Sequence, residues 1–131
     1  MGYTIAMRTY YFGFLAVFLL FLGNQAGTYW HLYDNIWFYD IPMHILGGFG
    51  IGLSIAAVLQ LHGSGILKKR HVVMYGVLLA GVLWELFEAY YNIAGSPVGT
   101  KAYYIDTAKD LIDDVLGGFV VVCLMFPWNK D

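Results

Sequence analysis

The sequence predicts an all-α, integral membrane protein of four transmembrane helices, arranged as two parallel helix-pair repeats. Composition carries the first part of that expectation. Hydrophobic residues make up 60% of the chain and charged residues 12%, against roughly 25% charged in a soluble domain. Aromatic residues reach 18%, with Tyr and Trp gathered near the ends of the apolar runs, as in the belts at a membrane–water interface. A crossing needs roughly 20 apolar residues, so a chain of this length holds one transmembrane domain, residues 1–131, of about four spans.

The first span is expected over residues 11–23, the second over 41–61, the third over 72–92 and the fourth over 106–126. The first is short and follows Arg8, an arrangement shared with signal peptides; it is expected to be retained. Residues 24–40 are aromatic and polar, too wet to span and suited to an interfacial, half-helical element. Cys123 lies in the run FVVVCLMF, which excludes a disulfide framework and reads as a buried, inert thiol. The net charge of −2 is uninformative, and no basic run suggests nucleic acid as a partner.

Orientation follows from the basic residues. Lys68, Lys69 and Arg70 sit together between the second and third spans, Arg8 precedes the first, and Lys130 follows the fourth; the opposite connections hold only Lys101. Both termini are therefore expected in the cytoplasm of a multi-pass cell-membrane protein. Trp30, Trp37 and Trp128 read as interfacial anchors, and His31, His62 and His71 as loop or interface residues.

An internal match supplies the repeat. Residues 40–49, DIPMHILGGF, return at 110–119 as DLIDDVLGGF, with an acidic first residue, a polar fifth residue (His44, Asp114) and a shared LGGF ending. Chance similarity between Gly-rich membrane helices is the alternative. Residues four apart share a helix face, so Asp40 aligns with His44, and Asp106 with Asp110 and Asp114; Glu85 and Glu88 also point together. Asp110 and Asp114 lie roughly 6 and 12 Å into the fourth span at 1.5 Å per residue. His44 and Glu85 fall at a similar depth, with Gly47, Gly48, Gly117 and Gly118 just beneath, where they let helices approach closely.

A carboxylate at that depth costs about 2.5–3.5 kcal/mol on insertion scales. Several side by side must be protonated or neutralised by a cation. Hard oxygen donors with one imidazole suit a divalent metal. The candidate ligands are Asp40, His44, Glu85, Glu88, Asp110 and Asp114, with His44 or Glu85 as catalytic acid or base. Other readings stay open. Glu85 and Glu88 are also placed to pair with Lys101 or Lys109, Asp106 to cap the fourth span, and Asp113, off the main face, to answer Lys109.

The spacing resembles that of the VanZ-like group of small bacterial membrane proteins. The resemblance lies in Asp40-xxx-His44-xxx-Gly48, Trp84-Glu85-xx-Glu88 and Asp106-xxx-Asp110-xxx-Asp114-xxx-Gly118, covering the second to fourth spans. That group usually shows Gln after the Glu and Asn within the last motif; here both positions are acidic. The resemblance implies a role at the bacterial envelope, including tolerance of glycopeptide antibiotics.

Three functions are compatible with these residues. The leading one is a divalent-cation site near the outer leaflet that binds or processes a phosphate-bearing membrane lipid or a lipid-linked envelope precursor. The others are a small proton- or cation-coupled carrier and an accessory subunit of a larger membrane complex. A homo-oligomer or larger assembly is expected, because four short helices cannot easily enclose a substrate path.

Overall fold

A computed structural model describes residues 2–62 and 65–126. Its elements are α1 (Gly2–Tyr29), the short α2 (Leu32–Asn35), α3 (Asp40–Gln60), α4 (Ile66–Tyr91) and α5 (Lys101–Met125), with no strand among the described residues. Three helices are long and apolar enough to cross a membrane: Tyr3–Tyr29, Asp40–Gln60 and Lys68–Tyr91. At 25 residues α5 has a crossing's length, but Lys101, Asp106, Lys109, Asp110, Asp113 and Asp114 keep it out of that class on composition.

The boundaries differ from the expected spans for local reasons. α1 continues well past residue 23 because the polar stretch folds back on it: Tyr39 donates its hydroxyl to Gly23 O at 2.7 Å and Tyr33 to Asn24 Oδ1 at 2.9 Å. Lys68, Lys69 and Arg70 belong to the start of α4, not to a loop. There Arg70 Nε donates to Phe126 O at 3.0 Å, satisfying a carbonyl that the end of α5 leaves open. α5 begins at Lys101, where extended Thr100 accepts from Tyr103 N at 3.2 Å. Thr100 is thus the N-cap, and the capping role expected of Asp106 is corrected: that residue lies inside the helix. α4 ends on left-handed Asn92 (φ 55°), and Ile93 N–H returns to Glu88 O at 3.0 Å, a closure that Asn tolerates better than most residues. Trp128 and Lys130 lie outside the described residues.

α3 is the central helix, packed against α1, α4 and α5; α1 meets chiefly α3. Its partners' directions follow from which residues meet. Gly48 lies against Asp114 and Gly52 against Gly118, so α3 and α5 run parallel; Gly13 lies against Ser54 and Gly23 against Met43, so α1 runs antiparallel to α3. Gly81 against Asp114 and Gly118 against Val77 make α4 antiparallel to α5. Glycine is required where α3 meets α5: a Cβ on Gly48 would overlap the carbonyl of Asp114, and one on Gly117 the carbonyl of Ile45. Below this contact Leu53, Ala56, Val73, Val77, Val121 and Val122 form a buried apolar core.

Cys123 is exposed, which corrects its expected burial. Val121 and Val122 take the inward positions of that turn and leave residues 123 and 124 on the outer face. In a membrane both faces of a helix are apolar, so hydropathy alone could not separate them.

Candidate metal centre at the acidic end of the helices

The parallel pairing of α3 and α5 brings Asp40 and His44 to the level of Asp106, Asp110 and Asp114. Antiparallel α4 delivers Glu85 to the same end. His44 is 7% exposed and stands between carboxylates. Its Nε2 lies 3.5 Å from Asp40 Oδ1 and 3.9 Å from Asp110 Oδ1, and its Nδ1 lies 3.4 Å from Asp114 Oδ1. A neutral imidazole donates from one nitrogen only, so carboxyl groups on both sides are served together by an imidazolium, by a protonated carboxyl on one side, or by a cation shared there.

The Asp40, His44 and Asp110 donor atoms all lie within 4.8 Å of one another. Asp114, on the far ring nitrogen, occupies the place of the carboxylate that commonly orients a metal-bound histidine. Asp114 is itself held in place from two sides: its backbone packs against Gly48, and its Oδ2 is the nearest atom to the Cβ position of Gly81.

Lys109 adds a cation that the sequence reading assigned elsewhere. Its Nζ pairs with Asp110, with Asp40 Oδ2 at 3.5 Å and with Asp106 Oδ1 at 3.6 Å. The sequence offers it Asp113, Glu85 or Glu88 as partners. Instead Asp113 is 8% exposed and its Oδ2 is buried without a hydrogen bond. The reason is tertiary: Asp40 and Asp110 converge from two helices, and the flexible lysine stem carries the ammonium to both.

Glu85 sits apart from the His44 contacts. Thr107 Oγ1 donates to its Oε2 at 2.7 Å, while its Oε1 is buried with no partner. Thr107 is a contact the sequence reading missed; it lies one turn before Leu111 on the α5 face that meets α4. Glu88 is half-buried one turn beyond Glu85, and the ion pairs of the cluster do not include it. So Asp40, His44, Asp110 and Asp114 are brought together directly, with Glu85 beside them and Glu88 at the margin. His31 forms an exposed pair with Asp34 at 3.5 Å, and His62 contacts Val58 O at 2.9 Å; both lie away from the cluster.

Comparison with known proteins gives the chain's relations. An uncharacterised protein of Thermotoga maritima is 27% identical over 110 residues, which cover 82% of this chain and 57% of the relative. The chain thus spans little more than half the length of that relative. No solved structure matches. Residues 2–131 match the model of a family described as "Predicted membrane protein (DUF2238)", and the chain belongs to that family.

Proposed function

We propose that this membrane protein crosses the bilayer four times, α5 included, and binds a divalent cation through Asp40, His44 and Asp110. The single observation that carries the reading is the disposition of His44: one ring nitrogen faces two convergent carboxylates and the other faces Asp114. Charge balance supports it. Asp40, Asp106, Asp110, Asp114, Glu85, Glu88 and Asp113 share one end of the bundle, opposed among the described residues by Lys109, His44 and the exposed Lys101 at the start of α5, and so much negative charge in a low dielectric calls for a further cation or for protons. Lys109, about 38% exposed at its side chain, neutralises Asp40 and Asp110 when the cation is absent and turns outward when it binds.

A cation in this position polarises a phosphoryl oxygen, which fits a phosphate-bearing lipid or lipid-linked envelope precursor; the VanZ-like spacing points to the same setting. Both nitrogens of His44 are then engaged, so proton transfer falls to Glu85 through its unpartnered Oε1. The basic start of α4 supports a cytoplasmic position for that end, and with it an outer-leaflet position for the cluster.

The test is metal analysis of the purified protein by mass spectrometry. Stoichiometric divalent metal is expected, falling several-fold in Asp110→Asn and Asp40→Asn proteins that still run as the same folded species. Metal-free wild-type protein that instead drives proton uptake into liposomes overturns the reading in favour of a proton-coupled carrier, for which the internal Lys109–Asp110 pair is the supporting contact.

A further inference from the structure

The lipid-facing side of the molecule is not uniformly convex. Because α1 packs on α3 and α5 packs on the other side of α3, a groove runs between α1 and α5 with α3 as its floor. Two apolar cavities adjoin there: one of about 350 Å³ is lined from α1, α3 and α5, the other, of about 410 Å³, from α3 and α5, and Leu46 and Phe49 border both. Leu19 lines the α1 wall, and Val120 and Leu124 line the α5 wall.

We propose that this groove holds one hydrocarbon tail of the phosphate-bearing lipid whose headgroup meets the acidic cluster. The headgroup part rests on the function proposed above; the tail site stands on the groove itself. Three features select a tail over a protein helix. The first is length. The floor runs from Pro42 to Leu53, roughly 16 Å at 1.5 Å per residue. The walls run on past Leu53 to Thr9 and Met125, so the lining exceeds one leaflet yet falls short of the roughly 30 Å of hydrocarbon that a transmembrane helix must cross.

The second feature is closure. Thr9, buried at the far end of the lining, donates its hydroxyl to Ile5 O at 2.9 Å and has Gln60 Oε1 at 3.2 Å, so the apolar lining ends on polar groups of α1 and α3 where a second helix would need it to continue. The third is position. Pro42 at the open end lies between Asp40 and His44 in the sequence, and the half-exposed ammonium of Lys109 pairs with Asp40. A lipid seated with its tail over Leu46 and Phe49 therefore has its phosphate at the level of the one cation in the cluster that reaches the surface.

The experiment uses the full chain in vesicles containing phosphatidylglycerol with a photoreactive diazirine midway along one acyl chain. Peptide mapping after irradiation is expected to place the label on segments holding Leu46, Phe49 and Val120. Val120→Trp, which fills the groove from an exposed position, is expected to cut that labelling by about tenfold, the factor equivalent to 1.4 kcal/mol of lost contact. Leu124→Trp is a second filler and should act in the same direction, while Leu83→Trp on the outer face of α4 should leave labelling unchanged. Labelling spread evenly over exposed helix faces, or unmoved by both fillers, overturns the tail site. A change of oligomeric state in Val120→Trp with labelling unaltered assigns the groove to a second copy and also overturns it. Metal content, measured on the same samples, is expected to stay at the wild-type level in Val120→Trp. Normal metal in Asp110→Asn beside groove-specific labelling would remove the cation reading and leave the tail site standing, so the two claims fail separately.

Discussion

The two sides of α3 are packed by different means. Toward α5, backbone meets backbone: Gly48 faces the Asp114 carbonyl, and Gly117 faces Ile45 O and Phe49 N. Toward α1, side chains do much of the packing: a Cβ on Gly13 would first meet Ser54 Oγ, and one on Gly50 would first meet Val17 Cγ2, each at 2.9 Å. The first contact fixes the register of two parallel helices to within one residue, and the Asp40–His44–Asp110 convergence lies about one turn from it. The second leaves room beside it, which is the groove. A polar site that needs carboxylates from two helices at fixed spacing sits on the interface that cannot slide.

The largest expected effect tests that contrast directly. In Gly48→Ala the new methyl has no neighbour that can give way, since it meets the main chain of α5. Overpacking of that kind costs about 3 kcal/mol or more, and the protein should lose its cooperative melt in detergent. In Gly13→Ala the tightest neighbour is the Ser54 hydroxyl, which can turn away at the loss of its bond to Gly50 O, while Ser54 N and Leu53 Cβ must give by only a few tenths of an ångström, and a loss of about 1 kcal/mol is expected. Equal melting temperatures for the two variants would break the comparison between the two faces.

A smaller effect is expected at the α4–α5 contact. Thr107→Val keeps the shape of the side chain and removes the donor to Glu85 Oε2, leaving a buried carboxyl whose Oε1 is already unpartnered. The loss of a buried partner costs about 1–3 kcal/mol, read as a lower melting temperature. Thr107→Ser, which keeps the hydroxyl, should recover most of it. Identical behaviour of Val and Ser would show that Glu85 draws its stability from another source.

The sequence carried the helices and the register of the acidic and imidazole side chains, because both follow from local periodicity. Asp40 and His44 four apart on one helix, and Asp106, Asp110 and Asp114 on another, needed only two parallel helices in step to meet, and the paired LGGF segments supplied the close approach. What it could not carry was any choice made between helices. Lys109 is out of phase with Asp114, yet its long stem brings the ammonium to Asp40 on α3. Thr107 becomes significant only once α4 lies beside it. α5 is too charged to read as a crossing on composition for the same reason that it was noticed: Asp110, Asp113 and Asp114 are buried within the bundle, and mean hydropathy does not record direction.

The smallest effect, and the one that sharpens the boundary of the site, concerns Asp113. Among the buried carboxylates of α5 it is the one whose Oδ2 has no hydrogen bond, while its neighbours Asp110 and Asp114 are engaged by Lys109 and His44. Removing one partner of a satisfied buried pair is costly, but replacing a buried acid that lacks a partner is often neutral or stabilising. Asp113→Asn should therefore shift stability by no more than about 1 kcal/mol, in the stabilising direction. Asp110→Asn, which strips a partner from Lys109, should go the other way. Thermal melts of the two variants side by side decide the matter. A destabilisation in Asp113→Asn as large as in Asp110→Asn would mean that the Asp113 carboxylate meets a donor in the membrane-embedded protein, and the polar site would then extend past Asp113 toward the groove between α1 and α5.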